Sequence, residues 1–234
     1  MNSRRCVVLI LDGLGDLPSP ALYGKTPLEA AHTPRLDRLA STGRCGLVDP
    51  IEQGVVPNTH TGVGIQFGLR PRQRTLLRRG PVEAAGAGLD LAPGDVAFRA
   101  NLATLERDGD RFRVRDRRAG RVTGDAPEFA RTVEEISLGD GVTARFRSPD
   151  QHRGALVFSG PGLGAELTDT DPGDGPMPAD LEQCKPLGPG SVETARLVNR
   201  YVGRAYEVLS QHPLNAKRTA RGSLPVTGVI TRGA

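Results

Sequence analysis

Apolar positions along the chain change their texture three times. Cys6 to Leu11 (CVVLIL) form a continuous apolar run that stops at Asp12-Gly13, the pattern of a parallel strand buried on both faces. Two helix starts follow. Thr26-Pro27 with Glu29 combines a capping box with proline at the first helical position, and Thr33-Pro34 repeats the Thr-Pro signal. Leu36, Leu39 and Ala40 then give a helical stripe ending at Gly43, and the chain returns to apolar residues at Gly46–Val48. Strand, loop, helix and apolar return predict the opening of an α/β sheet.

The texture changes at Arg70, where Arg70, Arg72, Arg74, Arg78 and Arg79 run into Gly80-Pro81, a crossing into a second unit. Strands are predicted at Val96–Leu105, at the alternating Arg111–Arg115 (half buried) and at Ala155–Phe158. The Gly/Pro/Asp-rich stretch from Gly160 to Pro189 reads as a long ordered loop or flap. One amphipathic helix is predicted from Ser191 to about Gln211, its apolar face carrying Val198, Tyr201, Val202, Ala205, Val208 and Leu209. A last apolar segment runs from Val226 to Ile230.

Composition narrows the function classes. The 234 residues carry 31 Lys+Arg against 27 Asp+Glu, a net charge of +4, with 37% hydrophobic residues, which excludes a disordered polymer and a membrane protein. The six-residue run at Cys6–Leu11 is too short for a signal sequence or a membrane span, so a cytoplasmic protein is expected. Cys6, Cys45 and Cys184 lie far apart and read as reduced thiols. Aromatics are 4% and tryptophan is absent, so the stacking platforms of a nucleic-acid binder are scarce, and neither nucleic acid nor membrane is expected as a partner.

Three places could carry chemistry. Asp12 directly after the first run, with Asp16 beyond it, could hold a divalent cation at the carboxyl end of a sheet, or simply cap a turn. In Pro57-Asn58-Thr59-His60-Thr61-Gly62 the Thr59 hydroxyl could act as nucleophile with His60 orienting or activating it, or start a helix as an ordinary cap. Arg111, Arg113, Arg115 and Arg117 recur with period two, extended by Arg118 and Arg121. Such a row suits a phosphorylated carboxylate, and equally a solvated edge strand. His152-Arg153 and Asp169-Thr170-Asp171 are small polar clusters in loops, while His32 and His212 read as structural or exposed.

The stretches LILDGLGD (Leu9 to Asp16) and GKTPLEAAHTPRLDRLASTG (Gly24 to Gly43) resemble the start of the archaeal-type, cofactor-independent phosphoglycerate mutases of the alkaline phosphatase superfamily. The likeness continues through GPVEAAGAGLDLAPGDVAFRANLAT (Gly80 to Thr104), DRRAGR (Asp116 to Arg121), HRG (His152 to Gly154), TDTDP (Thr168 to Pro172), HPLNAKR (His212 to Arg218) and TRGA (Thr231 to Ala234). The resemblance implies a glycolytic isomerase with an α/β fold: residues 1–70 forming part of an alkaline-phosphatase-like parallel sheet core, and residues 71–234 an α+β cap that binds substrate. It implies two divalent metals, Mn, Zn or Mg, and interconversion of 3-phosphoglycerate and 2-phosphoglycerate through a phosphorylated hydroxyl. Carried over by position, Asp12 is the first metal ligand and Thr59 the nucleophile. Arg99, Asn101, Arg117, Arg118, Arg121, His152, Arg153 and Arg232 then face the carboxylate and phosphate of a small phosphorylated acid.

Two departures qualify the resemblance. Relatives have Ser-Asp-Thr-Ser-His where this chain has Thr59-His60-Thr61-Gly62-Val63. Relatives also continue well beyond TRGA, and of the metal-binding set only Asp12 and the Thr59 hydroxyl match. A hard cation needs about four to six ligands, so the metal site is expected to be incomplete in this chain. Three readings stay open: a truncated or split mutase completed by a second chain, a paralogue moving a phosphoryl or phosphonyl group in specialised metabolism, and a non-catalytic module binding a phosphorylated acid. An uncovered apolar strand at Cys6–Leu11 is expected to make the chain depend on a partner or aggregate.

Overall fold

The computed structural model describes residues 6–11, 13–70, 72 and 77–234. The chain divides into two compact units, Met1–Asp49 and Pro50–Ala234, so that the segment Pro50–Arg70 groups with the larger one.

In the first unit the expected helix starts form. Helix α1 (Pro27–Ala30) opens on a capping box in which the Thr26 hydroxyl accepts from the Glu29 amide and the Glu29 carboxylate accepts from the Thr26 amide. Helix α2 (Pro34–Thr42) starts behind Thr33, whose hydroxyl donates to Asp37 rather than capping the backbone, and ends at Gly43. The expected buried strand at Cys6–Leu11 is not formed. These residues are irregular, with Val7, Val8 and Leu9 66–88% exposed. A parallel strand exists only through a neighbour's backbone hydrogen bonds, and no ladder among the described residues includes this run. Gly46–Val48 is likewise exposed coil, and Leu39 of the α2 stripe is 64% exposed.

The second unit is a mixed α/β structure around a seven-stranded sheet, antiparallel at every pairing. Its elements are α3 (Thr59–Gln66), α4 (Arg79–Gly86), β1 (Val96–Asp108), β2 (Arg111–Asp116), α5 (Ala126–Thr132), β3 (Glu135–Gly139), β4 (Val142–Asp150), β5 (Arg153–Ser159), β6 (Ala179–Asp180), α6 (Val192–Ser210), α7 (Leu214–Ala220) and β7 (Gly228–Arg232). The spatial order is β3-β4-β5-β1-β2-β6, with β7 also paired to β1. Because Arg99, Ala100 and Asn101 pair with both β5 and β7, those two strands flank β1 on opposite sides.

Alternation along β1 separates two cores. Val96, Phe98, Ala100 and Leu102 face the main core, built with Phe146, Leu156 and Phe158 of the sheet, Phe129 of α5 and Leu197, Val198, Tyr201 and Leu209 of α6. Ala97 faces the other way and joins Ala84, Leu89, Ala155 and Val157 beneath α4. The α6 face is as expected except for Val208, which is 42% exposed. Gly80 sets the depth of α4 on the sheet. A Cβ there would lie 1.8 Å from the Ala97 carbonyl oxygen, so only glycine allows this approach. The Gly80 amide donates to the Gly233 carbonyl at 2.8 Å, tying α4 to the end of β7. Among the described residues no helix is long and apolar enough to cross a membrane.

Candidate functional site

Strand register gathers the arginines. Arg99 of β1 pairs directly with Arg232 of β7, while Asn101 pairs with Arg153 of β5. Residues directly opposite in an antiparallel pair share a face, and this is the face of Ala97, away from the main core. Arg153 and its neighbour His152 are delivered by the short β4–β5 turn, where Gln151 takes a left-handed φ of 50°. The His152 carbonyl accepts from the Leu102 amide at 2.8 Å, docking that turn onto β1.

The third contribution comes just after β2. Asp116 accepts from the amides of Arg118 (2.7 Å) and Gly120 (3.0 Å), winding the chain into a tight loop in which Ala119, Gly120 and Arg121 all have positive φ. Two of these are not glycine, a conformation that persists only where the surroundings over-determine it. Buried Arg218 supplies that support, donating to the Ala119 carbonyl (3.1 Å) and the Leu224 carbonyl (3.0 Å) and pairing with Asp125.

These three contributions close a cavity of about 160 Å³ lined by Arg99, Asn101, Arg117, Arg118, Arg121, Gln151, His152, Arg153 and Arg232. All eight positions singled out in the sequence as facing a phosphorylated acid therefore meet in one place. Gln151 was missed; the left-handed φ of its tight turn leaves no signature in a glutamine side chain. Among the described residues no carboxylate lines the cavity, and three compensate it from behind or beside it. Glu83 of α4 accepts from Arg99 (3.1 Å) and Arg79 (3.3 Å). Asp171 holds Arg117 through both Nε and Nη2, the latter at 2.7 Å, and lies 3.9 Å from Arg232. Asp174 accepts from Arg117 Nη1. Arg121 and Arg153 have no ion-pair partner among the described residues.

The cavity leaves polar atoms unpaired. Among the described residues Arg99 Nε, Arg232 Nε, Asn101 Oδ1 and His152 Nδ1 are buried and find no hydrogen-bond partner, an unusual concentration in a folded protein. Burial, and then the charges of Arg118, Arg153 and Arg121, push His152 below the ordinary histidine pKa, so it is neutral at pH 7. Burial also lowers Arg232, partly countered by Asp171. Cationic donors and orphaned polar groups stand together here, a chemistry that matches small, highly anionic groups.

The period-two arginine row does not act as one. Strand β2 ends at Asp116, so Arg117 belongs to the loop and turns inward. Arg113 pairs with Asp180 and Arg115 with Glu106 on the exposed side. The first part of the row is a solvated strand face, and only its continuation reaches the cavity.

Thr59 is the first residue of α3, behind Asn58 at the cap. It lines a second cavity of about 500 Å³ with His60, Val63, Gly64, Leu77, Arg79, Val82, Glu83, Gly86 and Pro149. The His60 Nδ1 is buried without a partner, and burial followed by the Arg79 charge lowers its pKa. Glu83 and its two arginines join the cavities, since Arg79 lines the one and Arg99 the other. Asp12 lies outside the described residues. Among the described residues no group of three or more His, Cys, Asp or Glu side chains could hold a metal ion.

The family model of 2,3-bisphosphoglycerate-independent phosphoglycerate mutase matches residues 40–215. The chain belongs to this family. It is 42% identical to the phosphoglycerate mutase of Ignicoccus hospitalis over the whole of this chain and 56% of that protein. With the enzyme of Methanopyrus kandleri the identity is 43%, over 99% of this chain and 55% of the relative. The solved cofactor-independent phosphoglycerate mutase of Thermoplasma acidophilum superposes with a TM-score of 0.62 at 38% identity, covering 94% of this chain and 56% of that structure. The chain thus spans little more than half the length of the mutases it matches.

Proposed function

We propose that the arginine cavity binds a small phosphorylated carboxylic acid, with 3-phosphoglycerate and 2-phosphoglycerate as the pair that is interconverted. The observation that carries this reading is the meeting of six guanidinium groups and four orphaned buried polar atoms in about 160 Å³. That volume falls below the roughly 300 Å³ at which drug-sized ligands begin, so it suits a small metabolite. In the proposed reaction the Thr59 oxygen attacks phosphorus and the bond to the departing glycerate oxygen breaks. The Thr59 hydroxyl proton goes to the glycerate oxygen. The neighbouring hydroxyl then attacks phosphorus, the bond from phosphorus to the Thr59 oxygen breaks, and the proton of that hydroxyl passes to Thr59. The positive end of the α3 dipole favours the developing negative charge at Thr59, and neutral His60 lines the same cavity with an imidazole able to hold a proton. A divalent metal at Thr59 requires donors beyond the described residues. A second chain supplying those donors is part of the proposal.

Titration calorimetry with 3-phosphoglycerate tests the cavity. Arg153→Ala removes a guanidinium that has no ion-pair partner among the described residues and is expected to weaken binding by about 10–100-fold, the range of a lost hydrogen bond to a charged group. Phosphorus NMR then tests the chemistry, with 2-phosphoglycerate forming in the parent chain and not in Thr59→Ala. Equal affinity of the parent and Arg153→Ala would remove the cavity from the reading.

A further inference from the structure

The Gly/Pro-rich segment that follows Asp171 places one carboxylate against the arginine site. Asp174, between Gly173 and Gly175, has a side chain 82% exposed, yet it accepts from Arg117 Nη1 and stands 4.0 Å from Arg118 Nη2. Arg117 meanwhile gives Nε and Nη2 to Asp171, whose side chain is 2% exposed. Each nitrogen of Arg117 therefore gives one of the five N–H donors to a carboxylate. Two N–H donors, one on Nη1 and one on Nη2, remain for an incoming anion; for the full Nη1–Nη2 edge it must compete with a carboxylate, and the exposed Asp174 yields at far lower cost than the buried Asp171. On the outer side of Arg117, Arg118 and Arg121, Asp174 lines a further cavity of about 310 Å³ with Asp116, Gly120, Gly175 and Met177. This cavity shares those three arginines with the first.

We infer that Asp174 is a specificity-determining residue: a resident anion that competes with ligands for Arg117 and Arg118, so that the site favours phosphorylated acids over singly charged carboxylates. This deepens the proposed function and rests on the arginine cavity being the acid site. Asp174 is tethered three residues from Asp171, which is itself fixed on Arg117, so its effective concentration at the guanidinium is in the millimolar range or above. A free monocarboxylate offers the same charge and the same two oxygens and must out-compete this intramolecular partner. A phosphate dianion brings more charge and a third oxygen, and Arg118, Arg121 and Arg153 are at hand to receive it.

The test is calorimetry on the 234-residue chain with two probes, inorganic phosphate and glycerate. In Asp174→Asn phosphate affinity is expected to rise about tenfold, and glycerate binding, weak or undetected in the parent chain, to become measurable. Asp174→Glu keeps the charge and is expected to keep the parent's preference for phosphate. Because Asp174 is exposed, unchanged thermal midpoints are expected for both variants. Unchanged phosphate and glycerate affinities in Asp174→Asn, with phosphate binding lost in Arg153→Ala, would overturn the resident-anion role and leave the cavity reading intact. Phosphate bound by neither the parent chain nor Asp174→Asn would overturn both.

Discussion

Replacing Asp171 by asparagine isolates a buried ion pair beside the arginine cavity. Its carboxylate receives Arg117 through two nitrogens and the Gly173 amide at 3.1 Å, with both side chains of the pair at most 8% exposed. Asparagine fills the same space and keeps one acceptor, but it turns an NH₂ group towards a guanidinium that has left water. Removing one partner of a buried pair costs about 3–5 kcal/mol, because the other charge stays buried and uncompensated. Here the lower end is expected, since Asp174 still accepts from Arg117 Nη1 and is open to solvent.

For a unit of this size each kcal/mol moves the thermal midpoint by about 2–4 °C, so a loss near 3 kcal/mol lowers it by about 6–12 °C. Urea denaturation followed by far-ultraviolet circular dichroism gives the free energy directly. A double-mutant cycle with Arg117→Met supplies the control. The pair of substitutions removes both buried charges and is expected to cost less than the sum of the single changes, with a coupling of about 2 kcal/mol or more. A loss below about 1 kcal/mol for Asp171→Asn, or strict additivity in the cycle, would refute the view that this buried pair anchors the loop beneath the cavity.

Three other expectations follow from the same structure. Cys184 is buried, donates its thiol to the Thr168 carbonyl at 3.2 Å and is pushed up to about 11, whereas Cys6 and Cys45 are exposed; Ellman's reagent at pH 8 is expected to titrate two thiols quickly and the third only in denaturant, and three fast thiols would contradict the burial. His152 is held below the ordinary histidine pKa, so between about pH 6.5 and its folded value the unfolded chain binds the extra proton, and stability falls as pH falls through that window. His152→Gln is expected to flatten this part of the stability profile. Phosphate in the cavity, by neutralising Arg118, Arg121 and Arg153, is expected to raise the His152 titration midpoint seen by NMR, and a midpoint that phosphate leaves in place would separate His152 from the bound anion.

Legibility in the sequence followed the range of the forces involved. The capping box at Thr26–Glu29 was readable because a cap is a contract between residues three apart, and α6 because its buried face repeats every turn. The β3–β4 hairpin was overlooked although Asp140-Gly141, both at positive φ, stand between its strands and carry the two-residue turn signal. Cys6–Leu11 failed for the opposite reason: continuous apolarity reports a preference for burial, and burial needs a partner that local sequence does not name. The arginine cavity lies between these cases. Its members were identified through resemblance, but what unites them is register. One residue of slip between β1 and β7 would move Arg232 to the other face of the sheet and out of the cavity. Gly80 and Gly233 guard against that slip through their backbone hydrogen bond and the close packing of α4 on β1. The like charges of Arg99 and Arg232, set directly opposite each other, would by themselves disfavour the pairing. Glu83 and Asp171 offset that repulsion from outside the cavity, which leaves the inside with the positive excess that an anionic ligand answers.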